Sequence, residues 1–305
     1  MKVIVTGGAG FIGSHIVDKL IAKNYQVVVI DSLVTGKKGN LDSAAKFYET
    51  DIRDKKAVAK IFSIEKPDLV CHQAAHASVR ESTADPQYDA DVNILGSLSI
   101  LQSCVQAKVK KIVFASTGGA LYGDADQMPT PETYPTKPIC PYGVAKLSVE
   151  QYLHYYHKIF KLPYVILRYA NVYGPRQDPH GEAGVVAIFS QKMIAGEQPI
   201  INGNGEQTRD YVSVKDVVAA NIKALESGFI NETFNIGTGQ ETSVNKLFQT
   251  MVKIIGKPIK EKYGPAKTGE QKTSALSWDK IKQELNWQPT VDLPAGLAET
   301  INSFQ

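Results

Sequence analysis

The chain has 305 residues, 43% of them hydrophobic and 21% charged, with 34 basic against 31 acidic side chains and a formal charge of +3. This composition suits a globular protein with a large core and lacks the strongly basic balance that nucleic-acid binding requires. Three cysteines, Cys71, Cys104 and Cys140, are odd in number, widely spaced and free of paired ligand spacing, which argues against a disulfide framework or a metal site and for a reducing cytoplasm.

In chain order, short β-branched runs predict strands at "KVIVTGG", "QVVVIDS", "KFYETD", "DLVCHQAA", "KIVFAST" and "YVILRYANV". Between them "SHIVDKLIAKN", "DKKAVAKIFSIEK", "NILGSLSILQSCVQAK" and "YGVAKLSVEQYLHYYHKIF" carry apolar positions at helical spacing. That alternation predicts an α/β fold, a doubly wound parallel sheet covered on both faces. Met1 and Lys2 lead directly into the first strand and no run approaches membrane-spanning length, so the expectation is a protein neither exported nor anchored. Beyond Gly174 the pattern loosens through "GPRQDPHGEAG" and "INGNGEQTRD", after which "TSVNKLFQTMVKIIG" and "SWDKIKQELNW" read as capped helices. The expected division is a Rossmann domain over 1–172 and a smaller α/β lobe over 173–305, with the chain returning to the first around 208–238.

Chemistry enters at "TGGAGFIGSH", where Gly7, Gly10 and Gly13 have the spacing of a dinucleotide-binding turn between a strand and a helix. The first glycine makes the turn, the second admits a pyrophosphate, and the third lets the helix pack close to the strand. The next strand ends in Asp31, whose carboxylate suits a ribose hydroxyl and repels a 2′-phosphate; NAD is therefore favoured over NADP, with Lys37 and Lys38 nearby as opposing charges. In "PYGVAK", Tyr142 and Lys146 stand four apart on one helical face, and an ammonium near a phenol favours the phenolate, a base for an alcohol proton. The bland readings are a plain turn, a capping aspartate and a solvated helix face. His72 and His76 read as core or loop packing, His154 and His157 as a helix or subunit surface, and His180 as a solvated loop residue. Lys108, Lys110 and Lys111 read as cations ending a helix.

Taken in order, "TGGAGFIG", "STGGALYG", "PYGVAK", "RYANVYGPR", "RDYVSVKDV" and "FNIGTG" resemble the extended short-chain dehydrogenase/reductases, and within them the UDP-glucose 4-epimerases and related nucleotide-sugar epimerases. The resemblance implies C4 epimerisation of a UDP-hexose, as in galactose metabolism, through a transient 4-keto sugar and a tightly held NAD. It makes Tyr142 the acid/base and Lys146 its partner. It sets Phe11 and Ile12 over the pyrophosphate, Asp51 and Ile52 beside the adenine, and Ala74, Ala75 and Asn93 along the rest of the cofactor. Asn171 and Arg209 would hold the UDP diphosphate, with Lys267 near it and Glu270 on the ribose, where relatives often have arginine and aspartate. The substrate hydroxyl of the family aligns with Gly118 counted from one side and with Thr117 counted from Tyr142; Thr117 is the expected residue, with Ser116 a buried strand-end hydroxyl. Gly118 and Gly119 replace the Asp-Glu pair of the 4,6-dehydratases, which argues against that chemistry. Ser274, where a bulky residue would exclude an N-acetyl group, leaves room for UDP-N-acetylhexosamines. Helices matching 93–107 and 142–160 would form the bundle of a homodimer. UDP-glucuronate epimerisation, 4-keto reduction and a catalytically silent cofactor sensor are the alternatives.

Overall fold

The computed structural model describes residues 1–180, 184–266 and 271–305. The chain begins with β1 (Lys2–Thr6), α1 (Phe11–Ala22), β2 (Gln26–Asp31), β3 (Lys46–Glu49), α2 (Lys55–Glu65) and β4 (Leu69–His72). Two short helices, α3 (Val79–Ala84) and α4 (Pro86–Ala90), run through a π-helical turn, Asp91–Gly96, into α5 (Ser97–Gln106). Then come β5 (Lys111–Thr117), α6 (Pro141–Phe160), β6 (Tyr164–Tyr169), β7 (Asn171–Tyr173), α7 (Val185–Ala195), β8 (Ile201–Asn202), β9 (Thr208–Arg209) and β10 (Tyr211–Ser213). The chain ends with α8 (Val214–Glu226), β11 (Glu232–Ile236), β12 (Thr242–Ser243), α9 (Val244–Ile255), β13 (Tyr263–Gly264), α10 (Asp279–Leu285) and α11 (Leu293–Asn302).

Seven strands form one parallel sheet in the order β11-β6-β5-β4-β1-β2-β3, the doubly wound arrangement the strand and helix alternation predicts. Strands such as β1 and β6 carry unbroken apolar runs, Val3–Val5 and Tyr164–Leu167, because both faces are covered. Val3, Val5, Val165 and Leu167 pack on one side and Ile4, Ile112, Phe114 and Ile166 on the other. The order reverses between β1 and β4, and a crevice opens there at the carboxyl ends of the strands, the place where such sheets take ligands. Residues 214–236 rejoin this sheet, α8 packing on α1 and β11 extending the edge beside β6. Tyr173, Phe189, Met193, Tyr211, Leu247, Phe248, Met251 and Leu297 build a separate core from the elements after β6.

The predicted strand "YVILRYANV" breaks at Ala170. The Ala170 N–H goes to Ile236 O and the Asn171 N–H to Asp210 O, so β6 stays in the large sheet while β7 leaves to pair with β10. Lys111 does not end a helix. It opens β5, and its buried ammonium donates to Ala224 O (3.0 Å) and Ser227 O (2.5 Å), capping the carboxyl end of α8 rather than α5. No helix among the described residues is long and apolar enough to cross a membrane.

Candidate functional site

The crevice is a cleft of ≈ 440 Å³, a size typical of ligand sites. Gly7, Gly10, Phe11, Ile12, Gly13, Asp31, Asp51, Ile52, Ala74, Ala75, Tyr142 and Lys146 all line it. Asn93 does not. It is buried, its amide donating to His76 O (2.9 Å) and Asp89 (2.8 Å) and its oxygen accepting from the His76 N–H, so it fixes the loop after β4.

The glycine turn is built for close approach. Gly7 has φ +67 and a Cβ there would lie 2.6 Å from the Ala74 nitrogen, while a Cβ on Gly13 would run into Gly7 O. Helices α2, α3, α4, α8, α9 and α11 each carry a side-chain cap at the amino end; α1 has none, because Gly10 stands at that position and the helix opens directly on the cleft. Asp31 ends β2 at the far side, accepting from the Ala9 N–H (2.9 Å) and the Leu33 N–H (2.8 Å). Of the two nearby lysines, Lys37 lines the cleft and lies 3.9 Å from Asp178, which lines it too, while Lys38 lies over the Phe47 ring. An uncapped helix end, a cradle that only glycine fits and a carboxylate one strand away fit the pyrophosphate and ribose of a dinucleotide.

Tyr142 and Lys146 occupy the first turns of α6, with the Tyr142 N–H donating to Ser82 Oγ at 3.3 Å. The Lys146 ammonium donates to Ala115 O (2.8 Å) and lies 4.8 Å from the centre of the Phe114 ring and 5.8 Å from that of Tyr142. Burial lowers its pKa to about 8, against the opposing charges of Asp89 and Glu150. The phenol of Tyr142 moves the opposite way from expectation: burial, reinforced by the negative charge of Asp89, pushes it up. The ammonium spends its nearest hydrogen bond on Ala115 O, so in the chain alone the desolvation of the phenol wins over it.

Ser116 is buried and donates to Glu150 Oε1 at 2.6 Å. Thr117, half-buried at the end of β5, accepts the Ala120 N–H on its hydroxyl oxygen at 3.2 Å, which leaves the hydroxyl proton available. A Cβ at Gly118 would collide with Leu276 Cδ1, whereas at Gly119 the nearest atom is Asn171 Oδ1 at 4.0 Å. No side chain, hydroxyl or acid, fits at Gly118 unless Leu276 moves. Thr117, Asn171, Arg209 and Ser274 are not part of the cleft wall. Asn171 is exposed at the start of β7, and the Arg209 guanidinium donates to Thr208 O (2.7 Å). Ser274 is buried, on the segment that runs beside Thr130. Lys267 and Glu270 lie outside the described residues.

Several lining residues were given no role by the sequence reading, although Tyr169 and Arg176 fall within the "RYANVYGPR" motif. Tyr169, Arg176, Gln177 and Asp178 reach the cleft from the end of β6 and the loop after β7. His76 is not simple packing: it also lines the cleft, between Asp89 (3.2 Å) and Glu81 (2.8 Å). His72 is a core residue, held by Thr6 (2.6 Å) and Ser97 (2.9 Å), and burial drops its pKa to about 3.

The model of the NAD dependent epimerase/dehydratase family matches residues 3–237. The chain is 41% identical to a UDP-glucose 4-epimerase of Mycolicibacterium smegmatis over 100% of this chain and 99% of the relative. Among solved structures it resembles the UDP-glucose 4-epimerase of Thermotoga maritima with UDP-glucose, at 51% identity and TM-score 0.98 over 100% of this chain and 98% of that one. It also resembles the UDP-glucose 4-epimerase of Thermus thermophilus in complex with NAD, at 42% identity and TM-score 0.96 over 100% and 99%. The chain therefore belongs to the NAD dependent epimerase/dehydratase family, as an epimerase-type enzyme with NAD for its cofactor.

Proposed function

We propose that the chain inverts C4 of a UDP-hexose, interconverting UDP-glucose and UDP-galactose through a 4-keto sugar. The observation that carries this reading is Tyr142 and Lys146, four apart on α6, lining the same cleft as Gly10, Phe11 and Ile12 at the uncapped start of α1. Bound NAD supplies the acceptor and donor for the C4 hydride, together with a positive charge beside Tyr142. Tyr142 takes the 4-hydroxyl proton and gives it back on the other face. Lys146 supports it as an ammonium, and Thr117 donates to the sugar oxygen and orients it. Asn171 and Arg209, with Lys267 and Glu270, hold the UDP group, for which a guanidinium fork is suited. The hexose turns over while the nucleotide stays fixed, so affinity comes from the nucleotide and contacts to the sugar are loose.

Gly118 and Gly119 argue against a dehydratase, since an acid at Gly118 meets Leu276. We assign substrate binding to the lobe 173–305 and a cytoplasmic location. Ser274 leaves room for an N-acetyl group, so Ser274→Tyr would suppress epimerisation of UDP-N-acetylgalactosamine while sparing UDP-galactose; equal effects on both would refute this. The exposed Leu95, Tyr152, Tyr155 and Ile159 beside α5 and on α6 support a homodimer, which a monomeric sedimentation mass would contradict. Incubation with UDP-galactose, UDP-N-acetylgalactosamine and UDP-glucuronate separately, followed by NMR, tests the substrate. A 4-keto reductase would instead release its nucleotide at each cycle and show no copurified NAD.

A further inference from the structure

The loop Thr117–Leu121, rich in glycine, joins β5 to the buried Tyr122. Directly beneath it, in the register of three neighbouring strands, Ser116 of β5 lies opposite Arg168 of β6, and Arg168 opposite Asn235 of β11. All three are buried polar residues at the carboxyl ends of their strands. Glu150 of α6, one turn beyond Lys146, closes the row from one side: it accepts Ser116 Oγ (2.6 Å), Arg168 Nε (3.0 Å) and Arg168 Nη2 (2.6 Å). Tyr122 closes it from the other, accepting Arg168 Nη1 (2.8 Å) on its hydroxyl oxygen and donating to Asn235 Oδ1 (2.9 Å). Asn235 in turn donates to Thr130 O (3.0 Å), and its N–H is accepted by Glu132 (2.7 Å).

We propose that this row is the positioning device of the site: the Glu150–Arg168 pair clamps both ends of the 117–121 loop, at Ser116 and at Tyr122, and ties them to the helix that carries Tyr142 and Lys146. Within the loop the ties are the Ala120 N–H to Thr117 Oγ1 (3.2 Å), the Gly118 N–H to Tyr169 O (2.8 Å) and the Lys137 N–H to Leu121 O (2.8 Å), and none of them reaches α6, since Gly118 and Gly119 have no side chains. A charged pair buried with every hydrogen bond directional gives one arrangement, whereas apolar packing tolerates sliding. Glu150 also sets the charge around Lys146. The charged and titratable groups near that ammonium are Asp89, Glu150, His72 and Tyr142. Those around Glu150 are Arg168, Lys146, Tyr122 and Tyr164, while Glu132 lies within reach of the Arg168 charge.

The inference rests on the proposed roles of Thr117, Tyr142 and Lys146, and its test separates the two. Glu150→Gln, Tyr122→Phe and the double variant Glu150→Met with Arg168→Met are compared with the wild type for kcat, KM, the pH profile, thermal stability and amide exchange across 117–121. The double variant leaves no unpaired buried charge, so it retains the fold if Glu150→Gln does not. The expected result is faster exchange at Gly118 and Gly119 in all three. Misplacement of the reacting groups would lower kcat by about 100-fold in the Glu150 variants, with KM changed little. The basic limb of the pH profile should move to lower pH when Glu150 loses its charge but stay in place in Tyr122→Phe. Unchanged exchange in 117–121, or kcat losses no larger than the loss of folded protein with an unmoved pH limb, would overturn the proposal. Wild-type protein that epimerises no UDP-hexose would overturn the functional reading alone, because the exchange experiment needs no turnover.

Discussion

Replacing Lys146 by methionine should abolish turnover and yet make the protein more stable at neutral pH. The ammonium is buried against Phe114 and Ala115, and its pKa falls from 10.5 to about 8 because burial disfavours the charged form. That fall corresponds to about 3 kcal/mol of penalty on the ammonium. Methionine removes the penalty and keeps much of the side-chain volume, but leaves Ala115 O without its donor, which costs about 1–2 kcal/mol. At pH 7 the variant should therefore be stabilised by about 1–2 kcal/mol. A lysine whose folded pKa is depressed carries its full penalty below the folded value and is relieved as pH rises from about 8 through 10.5, because the unfolded chain binds more protons in that window. The sign should accordingly reverse, with the variant the less stable protein at pH 10.5. Urea unfolding of both proteins, freed of nucleotide, at pH 7 and pH 10.5 provides the comparison. A variant less stable than the wild type by the same margin at both values would show that Lys146 bears no burial penalty and that its charge is not poised as described.

Gly118→Val should lower kcat through displacement of Leu276, and Leu276→Ala added to it should recover part of the loss; no recovery would mean that the glycine serves the substrate rather than Leu276. Asp31→Ala should weaken NAD more than NADP and narrow the preference between them, as measured by nucleotide titration, with a loss shared equally by both pointing to the Ala9 and Leu33 hydrogen bonds instead. Glu65 is held ionised by Lys46, Tyr48 and Lys2 despite its burial, with its pKa at about 2 instead of 4.5. The stability it contributes is complete above pH 4.5 and lost between there and pH 2, so Glu65→Gln should flatten the unfolding midpoint across that range.

The strands of the large sheet were legible because parallel strands buried on both faces must be written as unbroken apolar runs, and the cofactor turn because glycine alone fits against Ala74. Tyr142 and Lys146 were legible as a helical pair. What the sequence could not display depends on partners brought together by the fold. A Cβ at Gly118 would meet Leu276; Asn93 is held by His76 and Asp89; Lys111 caps a helix that begins at Val214. The Glu150 carboxylate stands four residues after Lys146 and carried no signal in the sequence; its partners come from the register of β5, β6 and β11, which sets Ser116, Arg168 and Asn235 in one row beneath the loop. The direction of the Tyr142 shift was likewise hidden, since spacing shows proximity of a lysine but not the depth at which the phenol is buried.

The most direct measurement is conversion of UDP-galactose carrying deuterium at C4, by purified protein with no added cofactor, followed by NMR. The expected product is UDP-glucose with the deuterium still at C4, because NAD held in the cleft would take up and return the C4 hydride without exchange with solvent. Conversion with loss of the label to solvent, or no conversion even when NAD is supplied, would contradict the assignment of Tyr142, Lys146 and the α1 cleft to C4 epimerisation.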